Sequence, residues 1–129
     1  RAHFDSHLFT VVIPIKIPTP TNGETVGELI YYPNSRTMPK NEIMNIISKA
    51  MHKRYASEDG MKKFALLHTE NIENFIKLEP IIFIGKTTLH TNLPVSKSCS
   101  SYRLTLLAHF FDNSPRYGIG NFLRLLRKR

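Results

Sequence analysis

Tryptophan is absent and cysteine occurs once, at Cys99. A single thiol cannot form an internal disulfide, which fits a reducing intracellular compartment, cytoplasm or nucleus. No apolar run approaches the roughly 20 residues that a membrane-spanning helix needs. The uncharged stretch Leu8 to Ile15 is the longest near the start, and Pro14 breaks it. The ten acidic residues offer no pair placed for acid–base chemistry. Gly118-Ile-Gly120 lacks the third glycine of a nucleotide-binding fingerprint, Leu123 holding its place, and it reads as a flexible junction.

What is present is positive charge in two places. The net charge is +8. Residues 116–129 hold five bases and no acid, and residues 40–63 hold six bases against three acids. Elsewhere seven basic residues balance seven acidic ones. Charge placed this way suits a polyanion, either nucleic acid or an anionic membrane. At 129 residues, 41% of them hydrophobic, the chain fits one domain, residues 1–129, large enough to bury a core. Residues 1–7 read as a flexible N-terminal tail and 114–129 as a basic amphipathic tail.

Hydrophobic rhythm supplies the elements. Phe9, Val11, Ile13, Ile15 and Ile17 share one face of a half-buried strand. Pro14 and Pro18 remove donors from one backbone edge, which predicts an edge strand. Asn22-Gly23 then predicts a type I′ hairpin that pairs Ile15 with Ile30 and Ile13 with Tyr32. A helix follows near 40–55, with Thr37 as a possible cap and Pro39 in its first turn. Its core-facing stripe is Ile43, Ile46, Ile47, Ala50 and Met51. Ser57 starts a second helix, near 58–68, from which Met61, Phe64 and Leu67 face the core. Strand rhythm returns over Ile81–His90 and Ser101–Phe111. In the latter Tyr102, Leu104, Leu106, Ala108 and Phe110 share a face. Ser114-Pro115 opens a short last helix with Ile119, Phe122, Leu123 and Leu126 on one side. The fold class is α+β: a mainly antiparallel sheet packed against two helices, with a short basic C-terminal helix.

The side chains able to do chemistry are few. Cys99 has His90 and His109 as possible bases, but a lone loop cysteine reads first as an ordinary thiol. His3 and His7 flank Asp5 and could clasp a metal if that segment were helical, while the other four histidines are too dispersed to complete a site. We therefore assign no catalytic residue, no cofactor and no metal ligand from sequence, and expect no small-molecule substrate. The polyanion-contact residues are Lys49, Lys53, Arg54, Lys62 and Lys63 on the helices, where the first three project into solvent, and Arg116, Arg124, Arg127, Lys128 and Arg129 in the tail. Phe122, among the tail cations, is the membrane-insertion candidate. Tyr31, Tyr32, Tyr102, Phe110 and Phe111 are available for base stacking, yet no RRM-type signature accompanies them, so nucleic-acid contact would be at backbone level.

Several segments, taken in order, carry a likeness. Phe9-Thr-Val-Val-Ile-Pro-Ile-Lys-Ile17 opens it, followed by Asn41-Glu-Ile-Met-Asn-Ile-Ile-Ser-Lys49 and Gly60-Met-Lys-Lys-Phe-Ala-Leu-Leu67. Leu89-His-Thr-Asn-Leu-Pro94 and Tyr102-Arg-Leu-Thr-Leu-Leu107 complete it. In order and spacing, residues 8–112 resemble the globular domain of rhabdovirus matrix proteins. The resemblance implies a viral structural protein, in host cytoplasm or nucleus and in the virion, that self-associates, contacts anionic membrane and condenses the nucleocapsid. The chain is shorter than that family and lacks its basic N-terminal arm with a proline-rich budding motif, so no residue role transfers singly. The alternative expectation is a basic RNA-binding module of ribosomal or silencing-suppressor type.

Overall fold

The computed structural model describes residues 1–21, 23–53, 57–68, 70–99 and 101–111. The expected C-terminal helix, with Phe122, Arg116, Arg124, Arg127, Lys128 and Arg129, lies outside these residues, as does Arg54. Within them the chain is α+β, in the order β1 (Phe9–Lys16), β2 (Leu29–Tyr32), α1 (Glu42–His52), α2 (Glu58–Ala65), β3 (Asn71–Glu73), β4 (Ile81–Ile84), β5 (Leu89–Asn92) and β6 (Leu104–Phe110).

The strands form two antiparallel three-stranded sheets, β4-β1-β6 and β3-β2-β5. This corrects two expectations. β1 is the centre of its sheet and not an edge, and it shares no sheet with β2. The turn at 21–24 does form, since Glu24 N donates to Thr21 O at 3.0 Å and Gly23 takes a φ of +76°. Pro18 and Pro20 nevertheless deprive the following segment of the donors that a hairpin ladder needs, so β1 stops at Lys16 and the chain crosses to the second sheet. Pro14 fits a central strand because β4 pairs only as far as Val12, and the β6 register shifts between Pro14 and Lys16.

The second sheet is packed on both sides. Leu29 and Tyr31 meet Val12 and Phe83 of the first sheet around buried Phe75. On the other side Tyr32 and Leu89 pack with Phe64 and Met61 of α2, together with Ala2 and Phe4. The N-terminal residues, expected as a free tail, are thus part of the core. They are held by the paired bonds His3 N to His90 O (3.0 Å) and His90 N to His3 O (3.1 Å), and by Asp5 N to Gly85 O (2.9 Å).

α2 begins as expected: Ser57 caps it by accepting from Gly60 N at 3.1 Å. Its Phe64 is buried and Met61 packs on the core, but Leu67 lies beyond the helix and is exposed. α1 starts later than expected. Asn41, not Thr37, caps it by accepting from Met44 N at 2.9 Å, and Pro39 stays outside.

Candidate functional site

α1 is turned over relative to its sequence pattern. Ile43, Met44, Ile46, Ile47 and Met51 are 48–64% exposed, whereas Asn45 is buried at 1%. The inward face is the polar one because it finds specific partners. Asn45 Oδ1 accepts from Arg36 Nη2 at 2.8 Å, and the Arg36 guanidinium lies 4.1 Å over the Phe4 ring. Lys49 Nζ donates to Ser6 Oγ at 2.8 Å, and the His52 ring meets Phe4 edge-on. Lys49, expected in solvent, is half-buried. Burial lowers its pKa, and the nearby Arg36 charge adds to that. Lys53, Lys62 and Lys63 are exposed.

The first sheet shows the same inversion. The β1 registers place Phe9 beside Ile84 and Phe110, Val11 beside Ile82 and Ala108, and Ile13 beside Leu106. These eight apolar side chains share the outer face. Among them Leu106 is 53% exposed, Phe110 55% and Ile82 65%. Thr10, Val12, Phe83, Thr105 and His109 take the inner face. Sequence rhythm located the apolar faces of α1, β1 and β6 and placed them in the core. Periodicity identifies a face but not what lies against it.

Between the sheets opens a cleft of about 360 Å³ lined by His3, Asp5, Thr10, His90, His109, Arg1 and Arg103, among others. Its polar centre is Asp5, whose side chain is almost fully buried. His3 Nε2 lies 3.5 Å from Asp5 Oδ1 and His90 Nε2 lies 3.6 Å from Oδ2. Thr10 Oγ1 donates to Oδ2 at 2.6 Å and sits 3.3 Å from His109 Nδ1. His7 stacks on His109 at 4.0 Å between ring centroids.

Gly85 makes room for this cluster. A Cβ there would come within 2.7 Å of Asp5 Cβ and 3.0 Å of Thr10 Oγ1. Burial by itself would raise the Asp5 carboxyl, but hydrogen bonds from His3 and Thr10 and the His90 charge outweigh it and hold the group well below the usual carboxylate range. The hydrogen bond to Asp5 raises His3, whereas burial lowers His90. His3 and His7, which could clasp a metal together only if their segment were helical, are not on a helix: His3 faces His90 and His7 faces His109. Only the chain crossing that brings β5 and β6 alongside the N-terminal segment creates these neighbours, and no spacing in the sequence reports it.

Cys99 is elsewhere. Its Sγ lies 3.8 Å from Glu24 Oε2 and 3.7 Å from Thr25 O, and both desolvation and the Glu24 charge raise its pKa, the opposite of thiolate activation. His90 and His109, its candidate bases, stand at Asp5. Among the described residues no helix is long and apolar enough to cross a membrane. No protein family, curated protein or solved structure matches the chain.

Proposed function

We propose that this chain is a matrix-like structural protein that self-associates through its outward apolar faces and bridges an anionic membrane and a nucleocapsid through its basic segments. The observation that carries the reading is the outer face of the β4-β1-β6 sheet. Eight apolar side chains lie there in register, and no described element covers them. Contiguous exposed apolar surface of this kind costs free energy in water at roughly 25 cal/mol per Å², which a second copy recovers on docking. The turned-over α1 supplies a second apolar surface. Lys53 borders it, and Lys62 and Lys63 on α2 add further exposed cations. The likeness in layout to rhabdovirus matrix proteins points the same way, and the +5 of residues 116–129 supplies the affinity for anionic surfaces.

The RNA-binding alternative shares the cations and differs at Phe122. Interfacial insertion gains from apolar area, so Phe122→Ser sharply reduces co-sedimentation with anionic liposomes. Phosphate gripping depends instead on Arg124, Arg127 and Lys128. A liposome assay beside an RNA mobility shift, each over a salt series, separates the two. If neither polyanion is bound at low salt, both readings fail.

A further inference from the structure

The geometry points to a divalent transition-metal site, of the kind that takes Zn2+, formed by His3, Asp5 and His90 in the cleft between the sheets. It uses none of the surfaces in the assembly reading and stands or falls apart from it. Two imidazole nitrogens and one carboxylate, with an open fourth position, are a donor set that Zn2+ accepts.

The distances fit. Zinc–ligand bonds of about 2.0–2.1 Å in tetrahedral array place neighbouring donor atoms about 3.4 Å apart. The two His–Asp approaches are 3.5 Å to Oδ1 and 3.6 Å to Oδ2, one to each carboxylate oxygen, and a set of one ligand atom from each residue lies within 4.8 Å of one another.

The orientation of the rings is the second observation. His90 Nδ1 is 3.1 Å from the Thr88 carbonyl and His3 Nδ1 is 3.0 Å from the Arg1 carbonyl. A carbonyl can only accept, so each Nδ1 carries a proton and each ring turns its Nε2 toward Asp5, where a metal ion would take the place of any Nε2 proton. Histidine ligands of metals are held in this way, by an outer hydrogen bond that fixes the tautomer. Thr10 Oγ1 plays the matching outer role for the carboxylate by donating to Oδ2.

The backbone is built for it as well. The His3–His90 double bond holds the two rings with centroids 4.4 Å apart, and Gly85 leaves the space that the Asp5 side chain occupies. A bound ion would clip the N-terminal segment to β5. Arg1 and Arg103 line the same cleft, and their charge would favour hydroxide or a small anion as a further ligand.

The test is calorimetric titration of the metal-free full chain with Zn2+, with Co2+ absorption as a second readout of the ligand field. One ion per chain is expected, with a Kd in the micromolar range or tighter and a rise in Tm on binding. Removal of the outer hydrogen bond by Thr10→Val weakens binding by about 10–100-fold, and His90→Gln weakens it at least as much. Because buried substitutions can compromise folding, His3→Gln, at an exposed ring, is the deciding variant: it should also weaken binding at least tenfold while the metal-free chain still unfolds in one cooperative transition. His52→Gln leaves binding as in the parent chain. Absence of stoichiometric binding overturns the assignment. So does binding that survives His3→Gln but is lost in His7→Gln or His109→Gln, since that places the ion in the neighbouring Asp5–His7–His109 group.

Discussion

The β3-β2-β5 sheet buries Leu29 and Tyr31 against the first sheet and sets Ile30 and Tyr32 toward α2 and the N-terminal segment. The β4-β1-β6 sheet buries Val12 and Phe83 on one side, while the residues on its other side are half-buried or exposed. Both sheets carry apolar side chains on both faces, and only the second has described elements packed against both of them. An antiparallel sheet with one wet face normally alternates apolar with polar. Here the wet face is more apolar than the dry one, and the polar groups Thr10, Thr105 and His109 point inward to the cleft. A pattern of that kind is expected of a surface that is covered in the working state.

The contrast predicts unequal responses to truncation. Phe64 is 2% exposed and meets the Tyr32 ring edge-on at 5.2 Å. Phe64→Ala should therefore cost about 3–5 kcal/mol in urea unfolding. Phe110→Ala, on the open face, should cost less than about 1 kcal/mol at dilutions where the chain is monomeric. Comparable losses would mean that the outer face is already packed.

α1 sharpens the same comparison within one helix. Asn45→Ala removes the acceptor of the Arg36 Nη2 bond and should cost about 1–3 kcal/mol. Ile46→Ala should change monomer stability by no more than about 0.5 kcal/mol, although isoleucine is the more hydrophobic residue. The reverse order in thermal or urea melts would show that α1 docks by its apolar stripe after all.

The smallest effect lies at the 21–24 turn. Hydrogen bonds from Ser98 and Thr21 hold the Glu24 carboxyl at about 2, below its ordinary 4.5. The folded pKa is the lower one, so this contribution is complete above pH 4.5 and is lost as pH falls from there toward 2. Glu24→Gln should lower stability slightly above pH 4.5, flatten the profile in that window and converge on the parent near pH 2. An identical acid limb in parent and variant would remove Glu24 from the account.

These particular residues also show what the sequence made legible. The switch from period 2 to period 3.6 and back located β1, both helices and β6, and Ser57 marked the start of α2. Orientation was not legible, because β1 is apolar on both faces and α1 buries Asn45 for the sake of Arg36, which lies nine positions earlier and outside the helix. The Asp5 cluster was half visible: His3, Asp5 and His7 are adjacent in sequence, but their partners His90 and His109 arrive from β5 and β6. The hairpin failed for a reason the sequence did display, two prolines just beyond β1, which outweighed a favourable turn.

The central claim, that the outer face of the first sheet is an association surface, is tested most directly by sedimentation velocity of the full chain across a wide concentration range. The account predicts that the parent chain shifts to larger species as concentration rises, and that Leu106→Glu and Ile82→Glu stay monomeric with unchanged unfolding midpoints. A parent chain that remains monomeric throughout, or glutamate variants that associate as strongly as the parent, would contradict it.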